Sequence, residues 1–274
     1  MEQGIISKEF YIGRYIYLKS ELEKLPPVSF NHMGGELVIA IVSVDPVTGK
    51  KRRTRISEAN PQWSLYYDIA VLRTRLTDQL KALKNNWKSD YTDSLETVSS
   101  DYYIVPDHDN RFNSSMWKAG RNNENTYEIK NPVKHNSIIM RSIFESDVAE
   151  LLEGIGIEYK YESGVVIRPD LTLYPDFSLH FPEYNRCSFL EALGGLDNFK
   201  YCKNNAWKIQ QYFNAGLYPN RDIAFISGDE SYRPDHLTMK RIIGVMADAM
   251  ARQYVVKKGS SDTNPYFAPF DVAI

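Results

Sequence analysis

Cysteine is nearly missing from this chain: Cys187 and Cys202 are the only two in 274 residues, too few for a disulfide framework or a cysteine zinc site. An excess of one charge is missing as well. With 33 Lys and Arg against 35 Asp and Glu, the formal net charge is −2, so contact with nucleic acid would have to come from a local basic patch. No apolar run reaches the length that spans a bilayer, and Met1 to Phe10, which carries Glu2, Lys8 and Glu9, has no apolar signal core. The expectation is a cytoplasmic chain without a membrane partner. There is no Walker phosphate loop and no G-x-S-x-G elbow, and Gly154-Ile155-Gly156 reads as a helix end rather than a dinucleotide fingerprint. ATP-driven and serine-hydrolase chemistry therefore have little support.

What is present starts with a hairpin. Glu36 to Val44 reads as a strand, Asp45-Pro46-Val47-Thr48-Gly49 as a turn, and Lys50 to Ser57 as the return strand. Pro61 opens a long helix whose Leu65, Ile69, Leu72, Leu76, Leu80, Leu83 and Trp87 recur at threes and fours, a stripe that needs another helix or a second subunit as cover. From Pro106 to Asn136 the chain turns polar and rich in asparagine, which places a boundary near residue 130. The expected division is thus 1–130, a hairpin and helical module for nucleic-acid contact or dimerisation, and 131–274, an α/β domain. In the latter the predicted order is a helix from Ser137 to Gly154, strands Ile157 to Tyr161, Val165 to Phe177 and Cys187 to Leu193, a helix from Asp197 to Asn214, strand Ile223 to Ser227, and a helix from Pro234 to Val255.

Two acids sit where burial logic does not want them. Asp176 ends the run Leu171-Thr172-Leu173-Tyr174-Pro175, and Glu191 stands among Phe189, Leu190, Ala192 and Leu193. A carboxylate among such neighbours is costly unless a cation or hydrogen bonds compensate, and two on adjacent strands point to a divalent metal ion. A helical wheel adds Glu145, which shares a face with Ala149 and Leu152. Its competing structural role is an i,i+4 pair with Arg141. Carboxylates that hold Mg²⁺ suit phosphodiester hydrolysis, with a lysine nearby to offset developing charge.

These residues resemble the PD-(D/E)XK nuclease superfamily: Pro175-Asp176 matches the PD, Glu191 the second acid and Glu145 the acid of the preceding helix. The resemblance implies a restriction-endonuclease-like αβββαβ core with a mixed central sheet, covering roughly the second half of the chain. It also implies a Mg²⁺- or Mn²⁺-dependent endonuclease acting on DNA, with RNA as the alternative, and with Asp176, Glu191 and Glu145 as metal ligands. The motif lysine is replaced by Leu193, although i and i+2 share a strand face. The stretch Leu193-Gly194-Gly195, with Tyr201, Trp207-Lys208 and Tyr212 after it, resembles a branch in which a lysine of the next helix takes that role, which names Lys208 as catalytic. On the wheel, however, Phe199, Cys202, Ala206, Ile209 and Phe213 form the expected sheet-facing stripe, with Lys208 off it, and Lys203 is the geometric rival.

Lys50, Lys51, Arg52, Arg53 and Arg55 form the densest basic run and are candidate phosphate contacts, as is Arg141; a charged edge strand that resists aggregation is the competing role of the run. A homodimer and a partner protein in a DNA-processing complex are further expectations. So is the rival reading, a catalytically silent nuclease-like domain that binds nucleic acid or protein. Asp107-His108-Asp109 has metal-ligand residue types but reads as a solvated loop.

Overall fold

The computed structural model describes residues 6–33, 36–229 and 231–259. The chain divides into two compact units, Arg14–Thr97 and Met1–Gly13 with Val98–Ile274. Among the described residues no helix is long and apolar enough to cross a membrane.

Helix α1 (Lys8–Lys24) ends in the smaller unit, followed by β1 (Val28–Met33), β2 (Glu36–Val44), β3 (Lys51–Ile56) and α2 (Trp63–Asp90). The sheet order is β1-β2-β3, all antiparallel, and the β2–β3 hairpin is the one the sequence predicts. Its turn closes because Asp45 Oδ1 accepts from the amides of Val47 and Thr48 and Gly49 adopts φ +66°. Helix α2 lays Trp63, Tyr66, Ile69 and Ala70 on Val28, Ile39 and Ile56. The predicted apolar stripe is therefore covered only in part. Leu76, Leu83 and Trp87 are buried, whereas Leu65 and Leu72 are exposed because the face through Ala70 meets the sheet. Helix α1 escapes the sequence reading because its buried Phe10, Tyr11, Ile12, Tyr15 and Leu18 are spread around the helix and leave no periodic stripe.

The larger unit continues with α3 (Leu95–Ser99), β4 (Tyr102–Ile104), α4 (Ser114–Ala119), β5 (Val133–His135), β6 (Ile138–Met140), α5 (Ile143–Ile155) and β7 (Glu158–Tyr161). Then come β8 (Val165–Arg168), β9 (Leu171–Leu173), β10 (Phe177–Phe181), β11 (Arg186–Leu193), α6 (Phe199–Asn214), β12 (Ile223–Ser227), α7 (His236–Tyr254) and β13 (Val255–Lys257). The central sheet has the order β12-β11-β10-β7, with β11 and β12 parallel and the other pairs antiparallel. This is a mixed α/β unit. One face, with Cys187 and Phe189, meets Phe112, Tyr212, Leu217 and the β8–β9 hairpin. The other, with Tyr161 and Phe177, receives α5, which packs beside α7.

Three expectations change. The single strand Val165 to Phe177 is a hairpin, broken at the Pro169-Asp170 turn, and the sheet strand is β10, beginning at Phe177. The helix expected from Ser137 starts at Ile143. Before it Asn136, at φ 53°, turns β5 into β6, and Ser142 caps the helix. The expected boundary near residue 130 falls instead at 97/98, because the polar stretch is an ordered part of the larger unit. Phe112 stacks edge-on to Phe189, Trp117 Nε1 donates to the Ser178 carbonyl at 3.0 Å, and Asn113 caps α4. Its asparagines satisfy turns and caps rather than mark a linker.

Candidate active site

The register of the central sheet builds the site. Phe177 lies opposite Leu190 on β11 and opposite Tyr161 on β7, so one step back along the chain Asp176 faces Glu191 on one side and Glu162 on the other. The main chain holds that row: the Ala192 amide donates to Asp176 Oδ2 at 2.7 Å, and the Glu162 amide to the Asp176 carbonyl at 3.0 Å. Cross-strand neighbours of this kind have Cβ atoms about 5 Å apart.

Helix α6 supplies the counter-charge. Lys208 Nζ donates to Glu191 Oε2 at 2.8 Å and to the Tyr174 carbonyl at 2.7 Å, while Tyr212, one turn on, donates to Glu191 Oε1 at 2.5 Å. Lys203 is exposed. The expected orientation of α6 is therefore inverted: Tyr212 is fully buried, and Phe199 and Phe213 of the predicted sheet-facing stripe are 84% and 47% exposed. A buried carboxylate without donors costs more than exposing part of an apolar stripe, and Lys208 and Tyr212 are the donors it has.

Glu145 closes a capping box with Ser142 at the start of α5, and its Oε2 accepts from the amides of Arg141 and Ser142, both at 2.9 Å, and from Tyr161 Oη at 3.0 Å. The Ser142-x-x-Glu145 spacing carried that signal in the sequence. Arg141 does not pair its side chain with Glu145; the candidate phosphate contact is engaged within the protein. Its Nε donates to Glu162 Oε1 at 2.7 Å, and its terminal nitrogens donate to the carbonyls of Glu128 and Tyr127. Glu162, buried and also bonded to Asn125, is the residue sequence reasoning missed. Nothing local marks it, because its place in the row depends on the pairing of β7 with β10.

Four carboxylates, Glu145, Glu162, Asp176 and Glu191, thus share the locus with two cations, Lys208 and Arg141. Burial first, then the neighbouring Glu191 charge, pushes Asp176 well above the usual carboxylate range, against the pull of Lys208. Burial likewise raises Glu145, opposed by its hydrogen bonds from Tyr161, Arg141 and Ser142. Lys208 is driven down by burial but raised overall by Glu191 and Asp176, so it stays charged. Burial and then Glu191 raise the Tyr212 phenol, which remains a donor.

Among the described residues Asp176 Oδ1 and Glu145 Oε1 accept no hydrogen bond, and Glu162 Oε2 is buried without one. Such hard oxygens fit Mg²⁺ in kind, which needs only one or two carboxylates beside water and phosphate oxygens. No group of three or more His, Cys, Asp or Glu side chains among the described residues stands ready to hold a metal ion. Leu193, buried at the end of β11, offers nothing to the site.

The basic run belongs to the other unit. Lys50 precedes β3, and Lys51, Arg52, Arg53 and Arg55 lie exposed along that edge strand. Asp107 is not a solvated loop residue: its Oδ2 meets Arg186 at 2.8 Å and Tyr254 at 3.0 Å, and Arg186 also binds the buried Asp222 at 2.7 Å. Cys187 and Cys202 are both free thiols.

Comparison with protein-family models, with curated proteins and with solved structures finds no match.

Proposed function

We propose that the chain is a metal-dependent nuclease of the PD-(D/E)XK kind that hydrolyses phosphodiester bonds of DNA, using Mg²⁺ or Mn²⁺. The observation that carries this reading is the Lys208 ammonium 2.8 Å from Glu191, on the carboxylate that faces Asp176 across the sheet. The position vacated by lysine at Leu193 is thereby supplied from the next helix. The order α5, β7, β10, β11, α6, β12, with its mixed sheet, supports a restriction-endonuclease-like core.

In this reading Asp176 and Glu191 would hold the metal, and Glu145, whose Oε1 accepts no hydrogen bond among the described residues, would assist or orient the attacking water. A bound Mg²⁺ supplies charge to the scissile phosphate and acidifies water beside it. Lys208 offsets the charge that develops on the phosphoryl oxygens, in a site where water competes weakly. The exposed strand β3 is the candidate grip on the backbone, homodimerisation and a partner protein in a DNA-processing complex belong to the same proposal, and its setting is the cytoplasm. The test is incubation with single- and double-stranded DNA and Mg²⁺ or Mn²⁺ beside an Asp176→Ala control. Cleavage by the wild type alone is expected; no cleavage, or equal cleavage by the variant, would sink the reading.

One observation favours a silent DNA-binding domain instead: both oxygens of Glu191 are already engaged, by Lys208 and Tyr212. That reading predicts salt-dependent DNA binding with no gain in Tm from Mg²⁺.

A further inference from the structure

The parallel strands β11 and β12 leave the sheet through Gly194 and Gly228. Their exits are tied together, the Gly228 amide donating to the Leu193 carbonyl at 2.9 Å. A cleft of about 180 Å³ opens there, lined by Phe144, Gly194, Gly228, Asp229, Tyr232 and Arg233. Crevices beyond the carboxyl ends of parallel strands are the usual ligand sites of α/β sheets. At about 30 Å³ per water it holds roughly six waters, which fits one planar ring system and falls short of the ~300 Å³ of a drug-sized pocket.

Phe144 and Tyr232 are its aromatic lining residues, and the Arg233 guanidinium, paired with the Asp147 carboxylate, lies 5.7 Å from the Phe144 centroid. Glycine keeps the floor bare: a Cβ at Gly194 would stand 3.3 Å from the Phe144 ring, and one at Gly228 would stand 2.8 Å from the Tyr232 carbonyl. Asp229 Oδ1 accepts from the Ser231 and Tyr232 amides, both at 2.8 Å, which sets the turn that presents Tyr232, itself 56% exposed. Asp229 Oδ2 accepts no hydrogen bond among the described residues. An aromatic residue for stacking and a solvent-facing carboxylate oxygen for the amino edge are what a nucleobase needs, and the paired Arg233 guanidinium borders them.

The cleft adjoins the carboxylates through the chain itself. Phe144 precedes Glu145, and Gly194 lies three residues beyond Glu191, about 10 Å along an extended chain. We propose that this cleft takes one unpaired base of the nucleic-acid strand that runs across the carboxylate row, making single-stranded or locally unpaired nucleic acid the preferred substrate. A base within a duplex is held in its stack and must be extruded to enter such a cleft. The inference rests on the nuclease reading for the strand's position, while its test reads binding and needs no cleavage.

The experiment measures, in EDTA, the affinity of a short single strand carrying one fluorescent purine analogue, of the matched hairpin duplex, and of a free nucleoside monophosphate. Wild-type protein is expected to bind the single strand more tightly than the duplex and to quench the analogue. Because stacking on one aromatic ring typically contributes about 1–3 kcal/mol per base, Tyr232→Ala should weaken single-strand binding at least about fivefold, leave duplex binding unchanged and abolish quenching, with Tyr232→Phe restoring both. Equal affinities of Tyr232→Ala and wild type for the single strand overturn the proposal. So does a nucleoside monophosphate bound as tightly as the strand, which would make the cleft a mononucleotide site. Cleavage assays on the same proteins separate the two readings: Tyr232-dependent binding without cleavage under any metal leaves the base cleft standing and removes the nuclease, and metal-dependent cleavage with Tyr232-independent binding does the reverse.

Discussion

Glu191 is 2% exposed, and its two oxygens are held by one ammonium and one phenol. Removing one partner of such a buried pair leaves an uncompensated charge, a loss of about 3–5 kcal/mol. Lys208→Met should therefore lower urea-determined stability by about that amount and abolish metal-dependent cleavage, with Lys203→Met changing neither. If Lys203→Met proves the more damaging, Lys208 loses the assigned role. Asp107 offers a pH test away from the site. Burial pushes its carboxyl up, but the hydrogen bonds from Arg186 and Tyr254 outweigh that and hold it below the usual range. A lowered folded pKa stabilises the ionised form, so the contribution is present above about pH 4, the unfolded value, and is lost as pH falls through the folded one. The Tm deficit of Asp107→Asn should be full at neutral pH and shrink on acidification below about pH 4; a deficit that does not change with pH would refute the assignment. Asp176 and Glu191 were legible as acids among apolar residues, whereas Glu162 was not, since only the register of β7 on β10 brings it into the row.

At the scale of elements, α6 separates what a sequence pattern can say from what it cannot. Its apolar positions mark a helix correctly, yet Phe199 lies largely outside, Trp207 and Phe213 are about half exposed, and the face with Lys208, Gln211 and Tyr212 lies inside. Periodicity ranks faces by hydrophobicity and cannot see that a carboxylate on β11 requires two donors from this helix. The hairpin β2–β3 was readable because its strands and turn are contiguous. The break at Pro169-Asp170 is present in the sequence too, as two turn residues between Val165–Arg168 and Leu171–Leu173. The inversion has a measurable consequence. Phe199→Ser, at an 84% exposed position, should shift stability by less than about 0.5 kcal/mol, whereas Tyr212→Phe, which removes a hydrogen bond to a charged group, should lose about 1.5–3 kcal/mol. The reverse ranking in urea melts would restore the periodic stripe to the sheet.

Across the whole molecule, charge is close to balanced, but its distribution is not. The larger unit gathers four carboxylates at the end of its sheet, and the smaller unit carries Lys51, Arg52, Arg53 and Arg55 exposed along its edge strand β3. A nuclease needs phosphate affinity that its acidic centre opposes, so the proposed function assigns that affinity to β3. Strand alternation puts Lys51, Arg53 and Arg55 on one side and Arg52 on the side of Ile56, which packs towards α2. Those three residues form the coherent row. Each phosphate contact contributes about 0.9 to the slope of log affinity against log salt on duplex DNA. Replacing all three by alanine should reduce that slope by between about 2 and 3 and weaken binding to every sequence alike. Asp176→Ala, in contrast, should leave the slope as it is and remove cleavage. If the triple variant keeps the wild-type slope, β3 acts only as a charged edge that blocks strand addition, and the phosphate grip has to be sought on the larger unit itself.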